Sequence, residues 1–367
     1  MKRIFFFSLL FSLISNLSFG QFHTMKIPRT SPKVTETQRL GVTDITISYS
    51  SPALRNRDVW NSVIPQGGNP IAWRAGANMS TTIEFTTDVH IEGQPLMAGR
   101  YGFHVIPEHG NYTLLFVQPA DQWGSYYLDV ENDTVLKVTV GSETCSNTEQ
   151  LDYEFLNRTE NSLVVGLEWG ERRIPFKVEV DLNNTVVESF REELRGINTY
   201  HWQAWNDAAL WCLDHDTNLE EALSWATRSI EGGFGGFAAN KNVTNLSTKM
   251  RILKRLGKDE ELLATIEETE NMSLNEHDAN EFGIFLLRLG YFEEALSYSR
   301  GSLKIYPEAW SIILNKSIAN YFLGNTKAAI KDISDVKGMA PEQFLNRLNE
   351  IENEFRNNSY KLAGSYN

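Results

Sequence analysis

The hydrophobic period of this chain changes once along its length, and that change restricts what it can fold into. Between Thr43 and Val180 apolar residues recur at every second position. The runs are Ile45, Ile47 and Tyr49; Ile83 and Phe85; Tyr101, Phe103 and Val105; and Leu151, Tyr153 and Phe155. Leu163, Val165, Leu167 and Trp169 follow, and Ile174, Phe176, Val178 and Val180 close the series. A period of two puts one face of a strand in a core and the other in water. Turn chemistry separates the runs at Glu92-Gly93-Gln94-Pro95, Glu108-His109-Gly110-Asn111 and Glu131-Asn132-Asp133. About nine or ten strands with no amphipathic helix between them predict an antiparallel sandwich, not a parallel α/β sheet.

Beyond residue 197 the period is that of helices. The spacing predicts helices over His201–Leu213, Leu219–Ile230, Asn245–Leu256, Glu260–Glu268, Ala279–Leu289, Phe292–Lys304, Ala309–Leu323 and Thr326–Val336. Short breaks join them in pairs. An internal repeat is visible: Gly290 and Gly324, Ala295 and Ala329, and Pro307 and Pro341 are each 34 residues apart. With Gly283 at the small position of one first helix, this pattern resembles the tetratricopeptide repeat over residues 199–341, capped by a helix near Pro341–Arg356. Stacked helix pairs of that kind build an extended concave surface. The fold class expected is therefore multi-domain: an all-β antiparallel sandwich-like domain over 21–190, then an all-α tetratricopeptide-like repeat domain over 197–367. A chain of 367 residues is long enough for two such cores.

The first residues carry a targeting pattern. Lys2 and Arg3 precede an apolar run from Ile4 to Leu17 and then Ser18-Phe19-Gly20, which reads as a signal peptide over 1–20 cleaved before Gln21. The run is shorter than the roughly 20 apolar residues of a membrane span. Export, to the periplasm or beyond, is the expectation. Only Cys145 and Cys212 are present, one in each predicted domain, and whether they pair is open. The formal net charge of −13, with no basic patch, excludes a broad nucleic-acid footprint.

The β half also carries a longer signature. Ser31-Pro32 precedes Gly41-Val42-Thr43-Asp44-Ile45-Thr46-Ile47 with Tyr49-Ser50-Ser51-Pro52. Trp73-Arg74-Ala75-Gly76-Ala77-Asn78 follows with Thr81-Thr82-Ile83, then Gly93, Leu96, Gly99-Arg100-Tyr101 and Gln122-Trp123-Gly124. Over residues 26–181 this resembles the domain-of-unknown-function family numbered 2911, found in bacterial envelope and secreted proteins, whose members often carry helical repeats after the domain. The resemblance implies a fold and a location but no reaction. This chain departs from the family pattern at Ser51 and at Asn56-Arg57-Asp58 before Trp60.

Two surfaces are candidates for function. Long loops with cationic and aromatic residues are often functional, which singles out Arg57, Trp60, Trp73, Arg74 and Asn78. A guanidinium fork, an amide and an aromatic face suit an anionic or sugar-like ligand. Alternatively, Arg74 and Asn78 satisfy buried carbonyls where the chain crosses between sheets, with Trp73 in the core. On the helical half, repeat register places Thr248, Arg251, Arg255, Asn280, Arg288 and Asn315 on the concave side, where they suit an extended peptide or acidic segment.

Other constellations fall short. His90, His104 and His109, with Glu92 or Glu108, lack the local spacing of a metal site. Asp214-His215-Asp216-Thr217-Asn218 opens like a calcium loop but has Leu219 where Gly is needed and Trp225 where Glu is needed; it reads as a turn whose Asn218 caps the next helix. Gly232-Gly233-Phe234-Gly235-Gly236-Phe237 lacks the Gly-Lys-Ser/Thr of a phosphate loop and reads as a linker. No nucleophile–base pair stands out. The expected function is thus a non-catalytic exported binding or assembly protein, its repeats taking a protein or peptide, with no cofactor or metal. The alternative is a small-molecule or glycan-binding module, or an enzyme, centred on the Trp73-Arg74-Asn78 loop.

Overall fold

The computed structural model describes residues 28–64, 72–108 and 110–366; the expected signal peptide lies outside them. The chain divides into two compact units between Asp181 and Leu182.

The first unit is two antiparallel sheets. Strands β1(Lys33–Leu40), β2(Thr43–Ser50), β3(Thr81–Phe85), β6(Gly99–Glu108), β7(Asn111–Val117) and β8(Thr134–Gly141) form one, in the order β1-β2-β3-β6-β7-β8. Strands β4(Val89–Ile91), β5(Gln94–Leu96), β9(Glu143–Leu156) and β10(Ser162–Glu179) form the other, in the order β5-β4-β10-β9. Inner faces meet through aromatic side chains: Phe103 and Phe116 of the larger sheet lie 5.5 and 6.0 Å, centroid to centroid, from Phe176 of the smaller. All three are essentially without solvent contact, each burial contributing about 1.5–3 kcal/mol.

Strand β10 explains why two alternating runs are one element. The buried apolar side chains are odd-numbered from Leu163 to Trp169 and even-numbered from Ile174 to Val178. Gly170, at φ +64°, sits where the register with β9 slips. The change of inward parity along β10 coincides with this irregularity in its pairing.

The second unit is helical from its start. A helix the periodicity did not show, α2(Leu182–Glu193), begins within the span read as β domain and runs past its end; α1(Val59–Ser62) is a short turn in the first unit. Four antiparallel pairs follow: α3(Trp202–Asp214) with α4(Leu219–Glu231), α5(Val243–Arg255) with α6(Asp259–Glu270), α7(Glu276–Leu289) with α8(Phe292–Ser302), and α9(Trp310–Phe322) with α10(Thr326–Met339). Helix α11(Leu345–Arg356) closes the series. Successive first helices α3, α5, α7 and α9 touch in a row. Gly290 and Gly324 end α7 and α9 at φ +84° and +81°, a conformation glycine adopts without Cβ strain. Gly283 is small because a Cβ there would stand 2.9 Å from the Asn315 side chain of the next first helix. Asn218 precedes α4 in left-handed conformation without capping it; its amide donates instead to Glu221 Oε2 (2.9 Å).

Cys145 and Cys212 are both free thiols, in different units. Cys212 is fully buried, and burial pushes its thiol up to about 11. At pH 8 its thiolate fraction is then on the order of 10²-fold below that of an ordinary thiol. Iodoacetamide at pH 8 is expected to spare Cys212 until denaturant opens the helical unit, as read by mass spectrometry; fast labelling of the native chain contradicts this packing.

Candidate functional site

The loop residues of the β unit separate into three situations. Trp73 is 7% exposed, bridged to Val105 by reciprocal backbone hydrogen bonds of 2.8 Å, stacked on Trp169 at 6.2 Å and edge-on to Trp60 at 5.9 Å. Trp60 is buried too; its indole N–H donates to Trp169 O (2.9 Å) and Arg172 lies over its ring. Asn78 takes a left-handed φ of +62°, and its amide reaches Ser31 O only at 3.4 Å.

Arg74 is different. One guanidinium N–H donates to Asn78 O (2.9 Å), and the group lies 6.0 Å from the Tyr126 ring. With Arg55, Arg57, Tyr126 and Trp169 it lines a cavity of about 670 Å³. Arg57 donates to Leu54 O and Ala53 O, at 2.9 and 2.7 Å. The Trp169 indole N–H is buried with no partner among the described residues. A cavity with three guanidinium groups at its wall suits an anionic ligand.

Ser125 also lines this cavity, and its Oγ lies 2.9 Å from Nδ1 of the fully buried His104. Sequence reasoning missed the pair because the residues lie 21 apart on a strand and a loop, with no local motif to join them. Burial, with Arg74 adding to it, pushes His104 down to about 4. No partner meets its Nε2 among the described residues. A general base needs a partner that holds the charge it gains; this geometry gives a fixed hydrogen bond to a neutral ring. His90 is on β4 and His104 on β6, in different sheets.

The depressed His104 has a consequence for stability. The unfolded chain takes up a proton near pH 6.5 that the folded chain refuses until about pH 4. The stability this group allows is therefore complete above pH 6.5 and lost as pH falls toward 4, by about 2–3 kcal/mol. Denaturant melts at pH 7 and pH 4.5 are expected to show this loss in the wild type and a smaller one in His104→Gln; equal losses contradict it.

On the helical unit, the structure brings together only part of the predicted row. Thr248 and Asn315 are sealed in. The Thr248 hydroxyl donates to Thr244 O (3.3 Å), and the Asn315 amide donates to Asn280 O and Oδ1, both at 3.0 Å. The Asn315–Asn280 pair joins α9 to α7, whereas the Thr248 bond stays within α5. Arg251 and Arg255 reach from α5 to the α3–α4 turn, pairing with Asp214 and Asp216 at 2.9 Å each. The Arg255 bond holds the Asp216 carboxyl below its usual range. With Leu213, Lys254 and Tyr366 these charges line a cavity of about 410 Å³. Arg288, on α7, meets the segment after α11: Tyr366 N–H donates to Arg288 O (2.9 Å). The Tyr366 ring lies 4.5 Å from the Arg251 guanidinium and 5.7 Å from Phe285. Tyr366 lies too far from the repeats in sequence for any periodicity to have placed it there.

Residues 31–178 match the family model described as Protein of unknown function (DUF2911). No curated protein matches this chain. Similar solved structures include a tetratricopeptide repeat protein from Parabacteroides merdae at 16% identity, covering 48% of this chain and 66% of that one with a TM-score of 0.33. MamA from Desulfovibrio magneticus shows 15% identity over 42% of this chain and 88% of its own, with a TM-score of 0.28. YrrB, described as a tetratricopeptide repeat protein with an unusual peptide-binding site, shows 15% identity over 45% of this chain and 99% of its own, with a TM-score of 0.25.

Proposed function

We propose that this is an exported, non-catalytic binding protein whose helical repeats hold an extended segment of a protein partner. The observation that carries the reading is the charged cavity between α3 and α5, lined by Asp214, Asp216, Arg251, Lys254 and Arg255. It sits on the row of first helices, where a peptide meets side chains from several repeats at once. Export rests on Lys2, Arg3 and the apolar run that follows. Among the described residues no helix is long and apolar enough to cross a membrane.

The test is capture from an envelope extract on immobilised full-length chain, beside an Arg251→Glu, Arg255→Glu variant checked for native helicity. A partner held by the first and lost from the second is expected. Identical sets of captured proteins would sink the role given to the repeats. A second reading rests on the other cavity: Arg55, Arg57 and Arg74 around the unpartnered Trp169 N–H favour an anionic small molecule or glycan. Acidic glycans are expected on that reading to raise the melting midpoint of the wild type and not of Arg74→Gln.

A further inference from the structure

We propose that residues 364–366 occupy the groove of the repeats as a displaceable internal ligand, and that the external partner presents an aromatic side chain where Tyr366 now lies. The inference rests on the reading of the repeats as a peptide-binding surface and names the chemistry of what they bind.

The segment after α11 has two parts with different attachments. Tyr360 packs edge-on or tilted among Tyr321, Phe322 and Phe355, with ring centroids 5.1–6.0 Å away, and it and Leu362 pack against the helical core. That part is architecture. The part beyond Ala363 reaches the same helical core through Tyr366, but by contacts of the kind a bound peptide makes. Gly364, at φ +70°, runs beside the Arg288 guanidinium: a Cβ placed there would lie 3.6 Å from Arg288 Nε. Tyr366 then donates its backbone N–H to Arg288 O (2.9 Å), a carbonyl in the last turn of α7. Such a carbonyl has no partner within its own helix and is open to any chain that arrives extended. The ring of Tyr366 settles between the Arg251 guanidinium and Phe285, a cation–π contact combined with an apolar one.

Three features make this contact recognition by position. A backbone bond and an aromatic ring are among the anchors of the segment, and a main-chain donor plus a side-chain pocket is how an extended peptide is read. Tyr366 also forms one wall of the charged cavity, so the groove continues past it as open space toward Asp214 and Asp216. Arg251 is committed to both Asp214 and the Tyr366 ring, which couples the cavity to the occupied pocket.

A tethered occupant acts at an effective concentration on the order of 1 mM. If the cis contact has a dissociation constant near ~100 µM, an external segment is held back about ten-fold. The probe is an amidated, fluorescein-labelled peptide of residues 361–366, titrated by fluorescence anisotropy into three proteins: the full-length chain, a chain ended after Ala363, and full-length Tyr366→Ala. The chain ended after Ala363 keeps Tyr360 and Leu362 and should keep its helicity. Saturable binding is expected to this chain and to Tyr366→Ala, each at least about ten-fold tighter than to the full-length chain. The same peptide with Ala in place of Tyr should not bind, and Arg251→Gln in the shortened chain should weaken binding several-fold. Equal binding to full-length and shortened chains, or none to the latter when it is natively folded, overturns the proposal. If shortening unfolds the unit, Tyr366→Ala alone decides, by the same criterion. Peptide binding without any repeat-dependent capture from the envelope preserves this inference and defeats the proposed function; capture without peptide binding does the reverse.

Discussion

Trp73→Ala is expected to cost the β unit about 3–5 kcal/mol, the range for removing a buried aromatic side chain. The side chain is 7% exposed and shares a three-indole cluster with Trp60 and Trp169. Truncation deletes both ring contacts and leaves the Trp169 face open to the adjoining cavity. For a domain of this size each kcal/mol lowers the melting midpoint by about 2–4 °C, so the effect is far outside measurement error. Arg74→Ala is the informative companion. It gives up one hydrogen bond to Asn78 O, worth about 1–3 kcal/mol to a charged donor. A small drop for Arg74→Ala beside a large one for Trp73→Ala identifies Trp73 as architecture and leaves Arg74 available to a ligand. A Trp73→Ala protein that melts with the wild type would remove the indole cluster from the core.

The contrast between these two neighbours shows what the sequence could convey. Alternation exposed β2 and the inner half of β9, because each has one face in the core and one outside it; it marked β3 and β6 by residue type alone, since Thr81–Ile83 and Tyr101–Val105 are buried on both faces. It was silent on β7, where six consecutive residues from Tyr112 to Val117 are buried and no alternation exists. It was silent too on the polar edge strand β1, whose burial pattern is half-buried and exposed until Leu40. Helix α2 escaped because only Val186 and Val187 of its twelve residues are buried. The repeat pairs were legible because their glycines and alanines answer to packing: Gly283 to Asn315, Gly290 to a left-handed turn. The groove was only partly so. Register locates Arg251 on a helix, but whether its guanidinium faces solvent or Asp214 and Tyr366 depends on residues 37 and 115 positions distant.

Asn245→Ala carries the second large effect, about 4 kcal/mol against the helical unit. Asn245 is fully buried, three residues past the start signal Asn242. The two residues form a reciprocal cap: Asn245 N–H donates to Asn242 Oδ1, and Asn242 N–H to Asn245 Oδ1, both at 3.1 Å. The Asn245 amide also donates to Ser229 O (3.1 Å) at the end of α4 and to Asn240 O (2.5 Å) in the linker. One side chain therefore starts α5, holds the linker and fastens the preceding pair. Alanine leaves the Asn242 N–H without its partner, at about 1–3 kcal/mol for a buried group, and takes one of two donors from each carbonyl, since Ser229 O keeps the Asn240 N–H and Asn240 O keeps the Asn242 amide, both at 3.2 Å. Asn242→Ala removes a half-buried cap whose amide also reaches Asn240 O (3.2 Å), and should cost about 1 kcal/mol. The ratio of the two losses in urea melts is the test, because propensity alone would make alanine the better helix residue at both positions. Similar small losses would mean that the α4–α5 junction is held by its apolar contacts; a three- to four-fold ratio would mean that the register of the repeat stack is set there by one buried amide.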